Sequence, residues 1–242
     1  MFMFSGQAHA QVEPDPPIEC GPCEAWNAPL IDSSIRALGF RTDDIRLIVN
    51  SHAHFDHAGG IAFLQRLTNA VVAASAAGAA ALQRGTPTPD DPQFSLGGPF
   101  PPVSDVRVVR DGESLRVGDV EVTARYTPGH TPGATTWTWV SCEAETCLKV
   151  VYADSLNAIS ADEYRFSSPG IEAQFRQSIQ TVAELPCDIL LAVHPGFTGM
   201  RQKLEARATQ PAADPFVDGG ACRQYAAAAL GTLDERLARE RQ

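Results

Sequence analysis

The sequence predicts an α/β fold, an αβ/βα sandwich in which helices cover two β-sheets. Short apolar runs typical of strands alternate with segments of helical periodicity in residues 31–84. A strand-rich segment, residues 106–152, follows, and helix, strand and helix return after residue 170. Strands that alternate with helices and then occur in a run favour stacked sheets with helices on their outer faces. A chain of 242 residues is long enough to form one such domain with a sizeable core.

The first half of the chain divides into short elements separated by loops. Residues 11–29 contain five prolines and are expected to form an irregular arm. A helix is predicted at 33–38, and Gly39 ends it. The predicted elements that follow are a strand at 45–50, a helix at 60–69, a strand at 71–74 and an Ala-rich helix at 76–84. Six prolines in residues 86–104 indicate a long loop.

A helical stripe marks the second half of the chain. Ile171, Phe175, Ile179 and Val182 recur at helical spacing, a pattern more typical of core packing than of a cofactor site. The remaining predicted elements are a buried strand at 189–193 and a C-terminal helix at 221–241.

The most informative segment is SHAHFDHAGG, residues 51–60, which holds three of the six histidines and one carboxylate. His52 and His54 are two residues apart, so at a strand end they point to the same side. Asp56 and His57 are adjacent and can diverge toward a second metal. Zinc accepts His nitrogen and Asp oxygen, and a catalytic site needs about three protein ligands and one open position. We therefore predict that this loop serves two metals, the alternative being a polar loop with chance histidines.

Two further histidines complete the candidate set. His130 lies in TPGHTPG and His194 in VHPG, each after an apolar β-like run and close to Pro and Gly. Both are thus expected on loops at strand ends, where functional sites are usually built. A lone histidine in such a place is more often structural than a ligand, but two of them downstream of the 51–60 loop favour a metal site. His9 receives no role.

These segments resemble the metallo-β-lactamase superfamily, and within it the subclass B3 metallo-β-lactamases. The subclass resemblance rests on residues 51–62, on TPGHTPG with TWTW following, on YADSL at 152–156 and on His194-Pro-Gly. The branch of the Adelaide imipenemase is also similar, since it has a Ser-Cys-Glu…Cys loop and a late cysteine pair. The resemblance implies a metallo-β-lactamase sandwich and zinc-dependent hydrolysis of penicillins, cephalosporins and carbapenems, hence antibiotic resistance.

The resemblance also implies a role for each matching residue. The first zinc would be held by His52, His54 and His130, and the second by Asp56, His57 and His194. Asp56 would in addition orient the nucleophile. Ser155 and Asn157 stand where relatives bind the substrate carboxylate, and no Ser-x-x-Lys pattern makes Ser155 a nucleophile. In other superfamily hydrolases an Asp near Asp154 bridges the metals, but this subclass usually places its serine there, so Asp154 is left out of the ligand set.

Composition limits the partners of the chain. With 29 acidic and 19 basic side chains, it lacks the basic excess that nucleic-acid binding requires, which disfavours the nuclease members of the superfamily. No segment is long and apolar enough to cross a membrane. The resemblance implies a small β-lactam as the partner, and we expect the chain to be a monomer.

Six cysteines allow fifteen pairings. Cys142 and Cys147 flank a short polar loop between two β-like runs, which favours a hairpin disulfide, and a Cys187–Cys222 bond would tie the last strand to the C-terminal helix. The resemblance supports both pairs. The Cys-x-x-Cys unit at 20–23 lacks the context of a redox motif or of a zinc knuckle.

Disulfides imply an oxidising compartment, so we expect a periplasmic or secreted protein. Ala8-His9-Ala10 resembles a signal-peptidase site, but the apolar stretch before it is short for a working signal. We interpret residues 1–30 as a signal remnant and an irregular arm, and residues 31–242 as the metallo-β-lactamase domain.

One departure from the family pattern affects the N-terminal region. Relatives have several strands before the helix that matches 33–38, whereas here residues 20–30 resemble the start of relatives and the helix follows almost at once. About 40–50 residues, several strands' worth, are expected to be missing. All six candidate ligands lie after this point. Two alternatives to a β-lactamase therefore remain, another superfamily hydrolase such as a thioesterase or lactonase, and an inactive zinc-binding remnant.

Overall fold

The computed structural model describes residues 27–209 and 214–242. The expected signal remnant, most of the Pro-rich arm and the Cys20–Cys23 unit lie outside these ranges. The strands are β1 (Leu47–Val49), β2 (Val71–Ala74), β3 (Val106–Val108), β4 (Ser114–Val117), β5 (Val120–Tyr126), β6 (Thr135–Glu143), β7 (Thr146–Ala153) and β8 (Ile189–Ala192). The helices are α1 (Asn27–Ala37), α2 (Phe55–Ala58), α3 (Ile61–Thr68), α4 (Ala76–Arg84), α5 (Ile171–Glu184), α6 (Met200–Thr209) and α7 (Ala221–Glu240).

Two sheets pack face to face and confirm the predicted sandwich. The first is parallel, in the order β1-β2-β3, and the second has the order β4-β5-β6-β7-β8 with only β7 and β8 parallel. Between them, Trp137 of β6 is fully buried with Ala73 of β2 and Val109. Its indole Nε1 donates a hydrogen bond of 2.9 Å to the carbonyl of Asn50, just after β1, which joins the two sheets.

Helices cover both outer faces. The five-stranded sheet packs through Val151 and Leu190 against α5 and α7, where Phe175 and Leu233 are completely buried. The three-stranded sheet packs against α1, α3 and α4. The predicted stripe on α5 is confirmed as core, since Phe175, Ile179 and Val182 are buried and Ile171 packs at the edge of the same cluster.

Both predicted disulfides are present. Cys142 and Cys147 close the hairpin between β6 and β7, and Cys187 and Cys222 join the segment before β8 to α7. The second bond closes 35 residues of chain, so it restrains a large part of the C-terminal region.

Some elements differ from the sequence prediction. Helix α1 begins six residues earlier than expected, and the strand predicted at 45–50 is reduced to three residues. Helix α6 was not predicted, because none of its side chains is buried and it therefore has no apolar stripe. The short helix α2 lies inside the candidate ligand loop, which the residue pattern suggested only as a loop.

The sheet topology brings the candidate ligands to one edge of the sandwich. Strands β5 and β7 both run antiparallel to β6, and β8 runs parallel to β7, so these three strands end on the same side. His130 follows β5, Ser155 follows β7 and His194 follows β8. Among residues 27–209 and 214–242, no helix has the length and apolar character needed to cross a bilayer.

Candidate metal centre

Six side chains form two adjacent clusters at this edge. His52, His54 and His130 each offer a ring nitrogen, and these atoms lie within 4.8 Å of one another. Asp56, His57 and His194 offer ligand atoms within the same limit. The first cluster is buried, whereas the second faces the solvent more openly, with 45% of the His194 side chain exposed. The structure therefore brings all six candidate ligands together, three and three, and their binding of metal stays a prediction.

Each imidazole of the first cluster is oriented by an oxygen on its far side. Nδ1 of His52 lies 2.6 Å from Oδ1 of Asp154, and Nδ1 of His130 lies 2.9 Å from the carbonyl oxygen of Asn157. Nε2 of His54 lies 3.1 Å from Oδ1 of Asp91. A ring nitrogen bonded to such an acceptor carries the proton, so the other nitrogen of each ring keeps a lone pair.

The buried Nε2 of His52 tests whether a metal fits here. Within the described part of the chain this atom has no hydrogen-bond partner. A buried polar atom without a partner is costly unless something else binds it. Three imidazole lone pairs converging in a buried site are suited to a divalent cation such as zinc.

The second cluster has a different donor set. Nε2 of His57 and Nε2 of His194 are 3.2 Å apart. Oδ2 of Asp56 lies 3.1 Å from the former and 3.7 Å from the latter. Two imidazole nitrogens and a carboxylate oxygen thus face one point, and this mixed set also fits zinc.

The electrostatics favour metal binding at neutral pH. Burial lowers the pKa of His52 well below 6.5 and that of His130 to about 3, and burial together with His57 lowers the pKa of His194. These imidazoles are therefore neutral and their lone pairs are available. Burial opposes ionisation of Asp56, but its hydrogen bond with His57 outweighs burial and lowers the pKa of this carboxyl. Metal ligands must be deprotonated, as these groups are.

A cleft of about 180 Å³ opens over both clusters. Ser155 and Asn157 line it, so the two predicted substrate contacts lie beside the candidate ligands. Gln93 also lines it, with its amide nitrogen 3.4 Å from Nε2 of His130. The exposed apolar side chains around the cleft are Phe55, Leu96, Ile159 and Phe197.

A family model identifies the superfamily of this chain. The model described as "Metallo-beta-lactamase superfamily" matches residues 18–142, more than half of the chain. The chain belongs to the metallo-β-lactamase superfamily. The predicted metallo-β-lactamase sandwich and the predicted enzyme class, a hydrolase of this type, are confirmed.

Solved structures of metallo-β-lactamases, including a subclass B3 enzyme, are similar to this chain in sequence and fold. The Rm3 metallo-β-lactamase is 48% identical with a TM-score of 0.87, covering 92% of this chain and 87% of that one. MEM-A1, a subclass B3 metallo-β-lactamase from a soil metagenome library, is 46% identical with a TM-score of 0.84, covering 88% and 81%. SMB-1 bound to 2-mercaptoethanesulfonate is 45% identical with a TM-score of 0.86, covering 90% and 84%.

A more distant likeness exists within the superfamily. The acyl-coenzyme A thioesterase MBLAC2 of Gallus gallus is 31% identical over 102 residues. The match covers 36% of this chain and about a third, 35%, of the thioesterase.

The metallo-β-lactamase site also contains residues that the sequence analysis missed. Asp91, Gln93 and Leu96 all lie in the Pro-rich loop 86–104, which was predicted only as a loop. Its length was the available signal, because long ordered loops in compact domains often line functional sites. Asp154 lies outside both clusters, with its Oδ1 2.6 Å from Nδ1 of His52, and its omission from the ligand set stays a prediction.

Proposed function

We propose that this chain opens the β-lactam ring of penicillins, cephalosporins and carbapenems with the help of two zinc ions, and so confers antibiotic resistance. The observation that carries the proposal is the pair of three-ligand clusters beneath one cleft, in a chain 45–48% identical to metallo-β-lactamases of solved structure. When bound, zinc lowers the pKa of a water molecule and polarises a carbonyl, the chemistry that hydrolysis of a cyclic amide needs.

The six side chains would bind the two zinc ions in two sets of three. His52, His54 and His130 would hold the first zinc through their ring nitrogens in the buried cluster. Asp56, His57 and His194 would hold the second in the more open cluster. The ionised carboxylate of Asp56 would also accept a hydrogen bond from the attacking water and so orient it.

Two polar residues would position the substrate. Ser155 and Asn157 line the cleft, and the Ser155 hydroxyl oxygen accepts a hydrogen bond of 3.4 Å from the Asn157 backbone N–H. Their free donors would bind the carboxylate common to β-lactams. The apolar side chains of Phe55, Ile159 and Phe197 would contact the substituents, since small-molecule sites are mostly apolar with a few polar anchors.

The test is metal content and turnover on the purified full chain. We expect two zinc ions per folded chain, hydrolysis of nitrocefin and a carbapenem, complete loss with EDTA, and no inhibition by clavulanate. The His130→Ala variant should lose one zinc and the activity. Folded, zinc-supplemented protein that binds two zinc ions but opens no β-lactam would contradict the function, and protein that binds no zinc would identify an inactive remnant.

Thioester hydrolysis is the second candidate, and the likeness to the MBLAC2 thioesterase favours it. The same protein preparation should be assayed with acyl-coenzyme A substrates under identical conditions. A kcat/KM for acyl-coenzyme A above that for every β-lactam would replace the first proposal by this one. The opposite order would reject the thioesterase.

We also propose that the N-terminal strands of relatives are missing here and that the Adelaide imipenemase branch lies nearby. Support for the first point comes from an apolar groove of about 540 Å³ on the second sheet, on the face that Trp137 shares. Its apolar lining includes Trp139, Leu148, Val150, Ile189 and Leu191. Within the described residues, β1 pairs only with β2 and forms a sheet edge. Additional strands beside β1 would extend the first sheet over this groove.

A chimera tests the missing strands. The strands that precede the matching helix in a relative would be inserted after residue 26, before helix α1, and a flexible linker of equal length at the same place would serve as the control. We expect the chimera, and not the linker variant, to melt at a higher temperature and to turn over faster. Equal melting and equal turnover would reject the deletion.

Three further proposals concern the domain boundary, the compartment and the oligomeric state. We propose that residues 31–242 form the catalytic domain, preceded by residues 1–30, of which 27–30 begin helix α1. The two disulfides support a periplasmic or secreted location, because such bonds persist in oxidising compartments. We propose a monomer, which light scattering during size-exclusion chromatography would test, a dimer mass being the contrary result.

A further inference from the structure

The Pro-rich loop reaches the first metal cluster through one carboxylate. Nε2 of His54 lies 3.1 Å from Oδ1 and 3.2 Å from Oδ2 of Asp91. The two side chains are almost fully buried, with 8% of His54 and 5% of Asp91 exposed. The ring thus faces both carboxylate oxygens on one side and the other candidate ligands on the opposite side.

The same carboxylate holds the loop itself in shape. Oδ1 of Asp91 accepts a 2.8 Å hydrogen bond from the backbone N–H of Gln93. The Asp91 backbone N–H donates to the carbonyl of Thr88, and its carbonyl accepts from the N–H of Phe94. These bonds form a tight local turn of the kind that aspartate side chains stabilise.

That turn places substrate-facing groups over the site. Gln93 follows it directly and lies with Leu96 and Gly97 in the lining of the cleft. The Gln93 side chain also approaches Nε2 of His130. A single buried carboxylate therefore contacts a candidate metal ligand and the backbone of the loop that faces the substrate.

We propose that Asp91 is a positioning residue that couples the orientation of His54 to the conformation of the loop at residues 86–104. By accepting a hydrogen bond at Nε2 it selects the tautomer and ring orientation in which Nδ1 of His54 is free to bind metal. By accepting a hydrogen bond from the backbone N–H of Gln93, it fixes the position of the cleft-lining residues relative to the bound metal. The coupling rests on the proposed metal site, although the first part does not depend on which substrate is hydrolysed.

The effect of removing Asp91 on metal affinity depends on whether its role is purely structural or positions His54. Loss of a structural hydrogen bond lowers the stability of the metal-free chain and leaves metal affinity unchanged. Loss of an outer-shell partner of a metal-bound histidine typically weakens metal binding by about 10–100-fold. Metal affinity therefore separates the two roles without any activity assay.

The chain offers a matched control for this experiment. Asp90 precedes Asp91 in the same loop, but its side chain is exposed. We would compare Asp91→Ala, Asp91→Asn and Asp90→Asn with the unsubstituted chain. Binding of Zn²⁺ and Co²⁺ to metal-free protein would be measured by competition with a chromophoric chelator, together with the visible spectrum of the Co²⁺ form and the melting temperature of the metal-free form.

We expect Asp91→Ala to bind metal about 10–100-fold more weakly at the first site and to change the Co²⁺ spectrum. Asp91→Asn should recover part of the affinity, because its amide oxygen can still accept from Nε2 of His54. Asp90→Asn should match the unsubstituted chain. In turnover, Asp91→Asn should raise KM more than it lowers kcat, because the loop lining is displaced.

Different results would contradict the positioning role and the proposed function. Equal metal affinity and equal spectra in both Asp91 variants would overturn the positioning role and leave the proposed function intact. An unsubstituted chain that binds no metal would overturn both proposals. If Asp91→Ala does not fold, the Asp91→Asn measurements alone decide the question, with unchanged affinity counting against the coupling.

Discussion

Nδ1 of His52 and Oδ1 of Asp154 lie 2.6 Å apart, and both side chains are completely buried. The two residues are 102 positions apart in the chain, one after β1 and the other after β7. The Tyr225 hydroxyl donates to the Asp154 carbonyl at 2.9 Å and so ties this strand end to α7. Burial raises the pKa of the Asp154 carboxyl to about 6, while nearby imidazoles, His130 foremost, oppose the shift. The bond orients a candidate zinc ligand from the opposite sheet.

Replacing Asp154 by Ala should therefore weaken the first metal site. His52 would lose its acceptor and its Nδ1–H would remain buried without a partner, at a cost of about 1–3 kcal/mol to the metal-free chain. Zinc affinity should fall by about 10–100-fold, measured by chelator competition. The exposed Asp162→Ala variant is the control, and equal zinc affinity in the two variants would contradict the outer-shell role.

Gly129→Ala should impair the site through the backbone. Gly129 has a φ of +153°, and a Cβ there would lie 2.2 Å from Cδ2 of Phe175 in α5. The chain must shift, and His130 shifts with it. A misplacement of about 1 Å can cost about 100-fold in rate, so we expect a loss of that order in kcat/KM for nitrocefin.

The control for this substitution is Gly231→Ala on α7. A Cβ at Gly231 meets nothing within 4 Å, and helix propensity favours Ala by about 1 kcal/mol. The control should keep full activity and melt at an equal or higher temperature. If Gly129→Ala behaves like its control, the close approach of Phe175 does not restrict this loop.

The two disulfides should contribute unequally to stability. Cys187–Cys222 closes 35 residues and Cys142–Cys147 only 5, and a longer loop loses more entropy in the unfolded chain. In the chain-entropy model the losses are about 4 and about 2 kcal/mol. Urea unfolding of the Cys187→Ala/Cys222→Ala and Cys142→Ala/Cys147→Ala variants measures them, and a larger loss from the second pair would refute this order.

Glu240 should give the stability of the chain a recognisable acid dependence. Its carboxylate accepts from the N–H groups of Phe166 and Ser167 and from Nε of Arg236. Burial opposes ionisation, but these bonds outweigh it and lower the pKa of Glu240 to about 2. Because the folded value lies below the unfolded value of about 4.3, the stabilisation is present above about pH 4.3 and is lost as the pH falls toward 2.

Glu240→Gln should accordingly destabilise the chain by about 1.5–3 kcal/mol at pH 7, the usual contribution of hydrogen bonds to a charged group. The difference from the unsubstituted chain should narrow as urea unfolding is repeated from pH 5 to pH 3. Glu235→Gln, an exposed neighbour on α7, should show no such trend. A difference that stays constant with pH would contradict the assignment.

The sequence by itself determined the parts of the protein that depend on local pattern. The His-x-His-x-Asp-His loop, His130 and His194 follow β-like runs, so their placement at strand ends was readable from residue order. The α5 stripe was readable from helical spacing, and the hairpin disulfide from two cysteines around a short loop. These signals lie within one element or its nearest neighbour along the chain, where periodicity and turn chemistry act.

Only the tertiary structure decided which distant groups complete the site. Asp91 carried no signal in the sequence, and Asp154 was weighed only as a metal ligand. Loop and sheet packing brought them to His54 and His52. The sequence of helix α6 has no apolar stripe that would predict a helix, because none of its side chains is buried. The physical reason is the same for the two carboxylates and for helix α6. Hydrogen-bond partners and buried surfaces depend on which residues lie close together in the folded chain. Residue spacing in the sequence shows which residues are close only within one helix, strand or turn.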